Sequence, residues 1–132
     1  MSGVFISYRR DDTKGYAGAL LRELNDRIGA DQVFIDTEDS EVGTDCPTVL
    51  RQAVQACDVL LVLIGARWLD ATNARRLADP RDFVRQEIAL GLGAGARVIP
   101  VLVDGAMMPK AEQLPPDLGA LATRNALARL AE

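Results

Sequence analysis

A chain of 132 residues is long enough for one domain with a single buried core. Its 48% hydrophobic and 26% charged residues are typical of a folded globular protein and argue against disorder. The formal net charge of −4 argues against a nucleic-acid partner, because phosphate binding needs a clustered cationic surface. No apolar run reaches the ~20 residues of a membrane span and no signal segment precedes Val4, so we expect a cytoplasmic protein without a membrane partner.

The absence of histidine restricts the possible chemistry further. It excludes Ser-His-Asp and Cys-His catalysis and most transition-metal sites, so we expect no metal and no bound cofactor. Cys46 and Cys57 form neither a disulfide framework nor a zinc site, and no base is available to activate either thiol. Any reaction must therefore use carboxylates, cations, hydroxyls and backbone groups.

The first half of the chain alternates predicted strands and helices. Residues 4–8 form an apolar run that predicts a buried strand, and residues 33–36 predict a shorter one. Between them, residues 14–28 carry apolar side chains three and four positions apart, which predicts a helix that ends at Gly29. Pro47 suits the first turn of the next helix. The positions predicted to face the core of that helix are Leu50, Ala53, Val54 and Cys57.

The second half continues the alternation, with strands predicted at residues 59–65 and 98–103. A helix is predicted at residues 81–92, opened by Asp79-Pro80 and ended by residues 93–95. The glycine-rich run at residues 91–95 follows a helix and precedes a strand, which is the reverse of the dinucleotide-binding context, so we interpret it as a helix C-cap.

These elements predict one α/β domain over residues 1–132, with a doubly wound parallel sheet and helices on both faces. Right-handed connections are expected between the strands. Residues 105–116 are interpreted as a loop over the end of the sheet. Residues 117–131 leave two alternatives open, one helix or a short helix followed by an edge strand near residues 125–129.

Six segments, in the same order, resemble those of Toll/interleukin-1 receptor (TIR) domains of the bacterial, NAD-cleaving kind. Residues 4–11 are similar to the opening strand and loop, and residues 33–43 to the second strand and the mobile BB loop. Residues 58–65 resemble the central strand, and residues 82–88 the helix with the catalytic glutamate. Residues 97–103 and 114–118 resemble the fourth strand and the turn after it.

The resemblance implies a flavodoxin-like sheet of about five strands in the order 2-1-3-4-5, with a fifth strand near residues 125–129. It also implies that Glu87 is the catalytic residue. Three departures stand out: Phe83 replaces the usual tryptophan, Gly65 replaces a serine, and the closing helix is absent. The last departure leads us to expect a module of a longer protein, with a sensor domain in the same native chain.

The position of Glu87 also follows from helix geometry. At 100° per residue, Val84, Ile88 and Leu92 form the predicted buried stripe, and Glu87 lies about 60° to one side of Val84. The carboxylate is therefore expected at the border of the core, with Phe83 one turn before it. The alternative is a boundary glutamate that exposes its tip to solvent and pairs with Arg85 or another neighbour.

Cleavage of NAD+ as a substrate requires few groups, because the nicotinamide leaves as a neutral pyridine and needs no general acid. One carboxylate beside the oxocarbenium-like ribose can offset its positive charge. In the order 2-1-3-4-5 the ligand crevice lies between the first and third strands. Arg9 and Arg10 could bind the pyrophosphate or stack on adenine, or could belong to a solvated turn with Asp11 and Asp12.

Four further residues are assigned to substrate binding, and one of them is Phe83, one helical turn before Glu87. Ser7 and Tyr8 end the strand that the resemblance places at the crevice. Trp68 could stack on the substrate, or could open a helix and serve packing alone.

The leading hypothesis is an NAD+ glycohydrolase, with ADP-ribosyl cyclase activity as a possible addition, acting in antiviral defence or cell-death signalling. The alternative is a non-enzymatic adaptor that acts by TIR–TIR association alone. A phosphorelay receiver is rejected, because Gly65 stands where an acceptor aspartate would be needed and no lysine follows Lys110.

We expect activity to depend on assembly with other TIR domains into an oligomer or filament. The BB loop, residues 37–45, carries the acidic side chains of Glu38, Asp39, Glu41 and Asp45, together with Val42 and the hinge residue Gly43. Such a loop suits a cationic face on a neighbouring copy, for example one that presents Arg75, Arg76 or Arg81.

Overall fold

The computed structural model describes residues 3–35, 48–124 and 127–128, which form an α/β domain around one parallel sheet. The strand order is β2-β1-β3-β4-β5, and every described strand pair is parallel. The strands are β1 Val4–Ser7, β2 Val33–Ile35, β3 Val59–Ile64, β4 Arg97–Leu102 and β5 Leu127–Ala128. This confirms the predicted fold class and the order 2-1-3-4-5.

Four α-helices connect the strands within the described ranges: α1 Arg10–Ile28, α2 Thr48–Ala56, α3 Ala71–Ala78 and α4 Phe83–Gly93. Short 3-10 helices occupy Ala30–Gln32, Ala111–Gln113 and Pro116–Thr123. None of the helices described is long and apolar enough to cross a membrane.

The sheet separates two apolar clusters, because successive side chains of a strand point to opposite faces. On one face, Phe5, Leu60 and Val62 pack with Val84 and Ile88 of α4. On the other face, Ile6, Leu61 and Leu63 pack with Ala17 of α1. Residues buried on both faces explain why the strands read as continuous apolar runs rather than as alternating ones.

The strands and α4 lie within one or two residues of their predicted bounds, and the larger differences concern α1, α3 and the segment after residue 116. Helix α1 begins at Arg10 rather than at residue 14, but Thr13 interrupts it with non-helical angles of φ −131° and ψ 28°. Helix α3 was not predicted. The ambiguous segment becomes the 3-10 helix Pro116–Thr123 followed by β5, so the second of the two alternatives is correct.

Several predictions fall outside the described residues. They concern the end of the second strand at Asp36, the helix-opening role of Pro47 and the whole BB loop. The glycine-rich run behaves as predicted, since α4 ends at Gly93 and Gly95 adopts a positive φ of 79°.

Candidate active site at the carboxyl ends of β1 and β3

The crevice predicted from topology lies where β1 and β3 run side by side. Ser7, the last residue of β1, is in register with Val62 of β3. From β1 the chain continues to β2 on one side, and from β3 it continues to β4 on the other side. The loops that follow β1 and β3 therefore diverge at this point. The site is therefore built from the ends of these strands, the start of α1 and the start of α4.

Asp12 joins the loops that follow β1 and β3. Its two carboxylate oxygens accept hydrogen bonds from the backbone amides of Gly65 and Arg67, each at 2.9 Å. A Cβ atom on residue 65 would lie 2.5 Å from Asp12 Oδ1 and 2.8 Å from Cγ2 of Thr13. A serine at position 65 would therefore have to displace the Asp12 carboxylate, which holds the amides of Gly65 and Arg67.

Arg9 forms a bidentate ion pair with Asp82, which precedes α4. The distances are 2.8 Å from Nη1 to Oδ1 and 2.7 Å from Nη2 to Oδ2, and only 5% and 10% of the two side chains are exposed. The expected partners, Asp11 and Asp12, bind elsewhere: Asp11 lies 3.7 Å from Arg76. The solvated-turn interpretation of Arg9 is wrong, and both terminal nitrogens expected to meet the pyrophosphate are engaged by Asp82.

Glu87 lies deeper than predicted, with only 2% of the residue exposed. The buried positions of α4 are Val84, Glu87, Ile88 and Gly91, with Leu92 only half-buried. The helix is therefore rotated so that Glu87 lies inside the buried stripe rather than at its border. The boundary alternative with a solvated tip is wrong.

Arg85, the neighbour considered as a partner of Glu87, has contacts on the other side of α4. The Arg85 guanidinium lies 3.2 Å from Asp117 and donates to the carbonyls of Leu77 and Ala78. Arg85 thus anchors the outer side of α4, whereas Glu87 belongs to its buried side.

Ser7, Trp68 and Phe83 lie on the face of the sheet that α4 covers. Ser7 alternates with Ile6, so its side chain points to the same side as Phe5. Trp68 is 1% exposed and belongs to the core beneath α4, as the packing alternative predicts. Phe83 is half-buried against the same cluster, one helical turn before Glu87.

Buried polar atoms without hydrogen-bond partners collect at this end of the sheet. In the described part of the chain they include Ser7 Oγ, Arg9 Nε, Thr13 Oγ1 and Trp68 Nε1. The fifth such atom, Asn25 Oδ1, lies in α1. Folded proteins satisfy the large majority of buried polar groups, so four unpartnered atoms at one end of the sheet are unusual. They can offer hydrogen bonds to a polar ligand at this end of the sheet.

Tyr8 and Arg10 lie apart from this group. Tyr8 is 8% exposed and packs in the second cluster, on the α1 face. Arg10 is exposed in the first turn of α1. The BB-loop residues assigned to assembly, Asp39, Glu41, Val42, Gly43 and Asp45, lie outside the described residues.

Cys57 is buried, and its Sγ lies 3.1 Å from the carbonyl oxygen of Val54. Burial raises the pKa of the thiol, and the neighbouring Asp58 carboxylate raises it further. A raised pKa removes the thiolate that nucleophilic chemistry needs, which agrees with the inert role predicted for Cys57.

Sequence reasoning missed two polar residues that organise the site. Asp82 precedes Phe83 and accepts a hydrogen bond from the Arg85 amide at 3.1 Å, which is the pattern of an N-cap. That signal was present in the sequence. Asn73, fully buried in α3, donates to the Arg67 carbonyl at 2.8 Å, and no sequence pattern indicated this contact.

The fold and the site define a doubly wound α/β domain with a glutamate buried on the helix that covers one face of its sheet. The family model for the TIR domain matches residues 4–130. The chain therefore belongs to the TIR domain family.

The chain is also similar to individual proteins. It is 31% identical over 122 residues to the NAD(+) hydrolase sarm1 of Drosophila melanogaster, a match that covers 92% of this chain and 9% of that relative. The TIR domains of the activated Roq1 resistosome, which directly recognizes the pathogen effector XopQ, superpose with a TM-score of 0.71 at 16% identity. That match covers 97% of this chain and 87% of the other.

A second solved structure, the CMP N-glycosidase BcmB of Clostridium botulinum, gives a TM-score of 0.53 at 16% identity over the same shares of the two chains. At this identity the two structural matches show the fold alone.

Proposed function

We propose that this TIR domain cleaves the nicotinamide–ribose bond of NAD+, with Glu87 as the catalytic carboxylate. The observation that carries the proposal is the burial of Glu87 on α4, the helix that packs on the sheet face to which Ser7 and Trp68 belong; Ser7 Oγ and Trp68 Nε1 find no hydrogen-bond partner in the described residues. The likeness to an NAD(+) hydrolase over 92% of this chain supports the same substrate.

The reaction asks the protein to stabilise positive charge on the ribose. As the bond to the cationic nicotinamide nitrogen breaks, its electron pair leaves with the neutral ring and the ribose gains oxocarbenium character. A carboxylate held in a water-poor pocket stabilises that charge more strongly than one in solvent. Glu87 is proposed to fill this role, after which water adds to the ribose and yields ADP-ribose. Capture of the same oxocarbenium-like carbon by a nitrogen of the substrate's own adenine, in place of water, would give a cyclised product and release a proton.

The substrate-binding assignments follow the observed placements. Ser7, Trp68 and Phe83 share the sheet face of Glu87 and are proposed to contact the substrate on either side of the scissile bond. Arg10 is an exposed cation at this edge and is proposed to meet the pyrophosphate. Tyr8 lies on the opposite face, so we propose for it a supporting role in packing rather than a direct contact.

The test is the substitution Glu87→Gln, which keeps the shape and removes the charge. Turnover of NAD+, followed by chromatography of nicotinamide and ADP-ribose, is expected to fall about 10²-fold or more. Glu112→Gln is the matched control, because Glu112 is exposed on a 3-10 helix. Full activity of Glu87→Gln with an unchanged melting temperature would refute the catalytic assignment and favour the adaptor alternative.

We further propose that activity requires assembly with other TIR domains and serves defence or cell-death signalling. The acidic BB loop needs a cationic partner surface. Arg76 pairs with Asp11, and Arg81 pairs with Asp79 at 3.2 Å. Arg75 is exposed on α3 and has no ion pair to any residue that the structure describes, so it is the stronger candidate for an intermolecular contact.

A further inference from the structure

We propose that Arg9 and Asp82 form a positioning pair that sets the orientation of Glu87 by fixing the start of α4 against the end of β1. The inference depends on the proposed function, because it assigns the pair a role in the reaction of Glu87. It also gives Arg9 a role other than substrate binding.

The ion pair between Arg9 and Asp82 uses both terminal nitrogens of the guanidinium and both oxygens of the carboxylate. Two parallel hydrogen bonds, of 2.8 Å and 2.7 Å, join the guanidinium of Arg9 to the carboxylate of Asp82. Bidentate pairs of this kind fix the orientation of the guanidinium plane relative to the carboxylate plane, as well as the distance between the two groups. With 5% and 10% of the side chains exposed, the pair is screened little by solvent.

The pair joins the first turns of two helices. The carbonyl of Arg9 accepts hydrogen bonds from the amides of Asp12 at 3.0 Å and Thr13 at 2.9 Å, so Arg9 begins α1. The Oδ2 atom of Asp82 accepts from both Arg9 Nη2 and the Arg85 amide, so Asp82 caps α4. One contact therefore ties the β1–α1 junction to the N-terminus of the helix that carries Glu87.

Glu87 lies five residues after Asp82, close enough to be governed by this tie. A helix with its side chains has a radius of about 5–6 Å, so a rotation of about 10° moves the end of a side chain by about 1 Å. A misplacement of this size can lower a rate by about 10²-fold. Loss of the pair is therefore expected to affect the reaction even though neither residue touches the reacting atoms.

The same geometry argues against Arg9 as a phosphate ligand. Both of its terminal nitrogens already bind Asp82, and a pyrophosphate would have to displace that carboxylate from a buried site. A positioning role predicts a lower kcat, whereas a phosphate contact predicts a higher KM.

The experiment compares three substitutions in the full chain. Asp82→Asn keeps an oxygen that can cap α4 and removes the charge, and Arg9→Lys keeps the charge and removes the two-pronged contact. Asp79→Asn is the control, because Asp79 pairs with Arg81 in the same segment on an exposed surface. Asp82→Asn and Arg9→Lys are expected to lower kcat about 10- to 100-fold with KM within about 2-fold, and Asp79→Asn to change neither.

A double-mutant cycle separates positioning from general destabilisation. In a Glu87→Gln background, Asp82→Asn is expected to cause no further loss of kcat, since its effect acts through Glu87. The inference would be overturned if Asp82→Asn lowered kcat in the Glu87→Gln background by the same factor as in the parent protein. A raised KM with unchanged kcat in Arg9→Lys would also overturn it and assign Arg9 to the substrate.

A measurement that does not depend on turnover tests the positioning role of Arg9 and Asp82 even if Glu87 is not catalytic. The ¹³C chemical shift of the Glu87 side-chain carboxyl is expected to change in Arg9→Lys and Asp82→Asn but not in Asp79→Asn. An unchanged shift in both variants would overturn the positioning role. Full activity of Glu87→Gln would instead refute the proposed function, so the two failures are distinguishable. If Asp82→Asn does not fold, Arg9→Lys alone decides the outcome.

Discussion

Buried polar side chains in the described part of this domain gather around one end of the sheet. Ser7 ends β1, Arg9 and Thr13 come soon after it, and Glu87 comes from the helix that covers one face of the sheet. Asn73 joins them through its contact with the loop after β3. Burying polar groups costs free energy unless they are hydrogen-bonded, and Arg9 and Asn73 each bind a partner here.

The hydrogen bond between Tyr16 and Asp104 leads to a prediction about how the stability of the protein depends on pH. Its hydroxyl donates to Asp104 at 2.5 Å, and this hydrogen bond raises the pKa of Tyr16, with smaller contributions from burial and from the Asp104 charge. The stability that the bond contributes is therefore present below the unfolded pKa of about 10 and is lost as the pH rises through the folded pKa.

The test is Asp104→Asn, which suits the positive φ of 55° at this position. Titration of tyrosine absorbance is expected to show one of the two tyrosines ionising at lower pH than in the parent protein. The Tyr16→Phe protein should lack the shifted transition altogether. Identical titration curves for Asp104→Asn and the parent would show that the contact does not form.

For single side chains, the sequence predicted which residues belong to the site better than it predicted the contacts that those residues make. The resemblance singled out Glu87 and helix periodicity placed it at the border of the core, but its depth was not predicted, because the stripe was drawn through Leu92 instead of Gly91. The partner of Arg9 is 73 positions away, and no local pattern indicates a contact over that distance. The role of Asp12 in joining two loops was hidden for the same reason.

Among the elements, α4 packs closely on the sheet at Gly91. A Cβ atom on Gly91 would lie 2.6 Å from Cδ2 of Leu60, which is itself fully buried. Gly93, two residues later, has nothing within 4 Å of the same position. The absence of a side chain at Gly91 therefore allows α4 to approach β3 closely along the buried stripe that contains Glu87.

These two glycines form a matched pair for stability measurements. Gly93→Ala is expected to stabilise the protein by about 0.5–1 kcal/mol, because alanine favours the helix more than glycine. Gly91→Ala gains the same propensity but overpacks the core at a cost of about 1–3 kcal/mol. Thermal unfolding should therefore rank the melting temperatures as Gly93→Ala above parent above Gly91→Ala. A more stable Gly91→Ala protein would show that the helix can move away from Leu60 freely.

The strands were the most predictable elements, because Val, Ile and Leu on both faces of a run indicate a sheet covered on two sides. Helix α3 was missed, since within Ala71–Ala78 only Leu77 is a large apolar residue that packs in the core. Its N-cap, Asp70, accepts from the Asn73 amide at 2.9 Å and was a usable signal. Propensity alone could not separate helix from strand in the alanine-rich tail.

For the whole molecule, the proposed assembly predicts a concentration-dependent activity. A contact between an acidic loop and an exposed cation such as Arg75 is polar, and salt weakens it. Specific activity is therefore expected to rise with protein concentration, to fall with added salt and to drop on Arg75→Glu or on charge reversal at Glu41. Lys110→Glu makes the same charge change at another exposed position and should have little effect. Equal turnover per molecule in dilute, demonstrably monomeric protein would contradict the assembly requirement.

The orphaned polar atoms at Ser7, Thr13 and Trp68 have a consequence for evolution in the laboratory. Each buried group without a partner costs about 1–3 kcal/mol, so apolar replacements such as Ser7→Ala, Thr13→Val or Trp68→Phe offer easy gains in heat resistance. A selection for thermostability alone would collect these replacements first. The variants with the highest melting temperature would then be those that have lost the polar groups of the proposed site, unless each round of selection is also screened for NAD+ turnover.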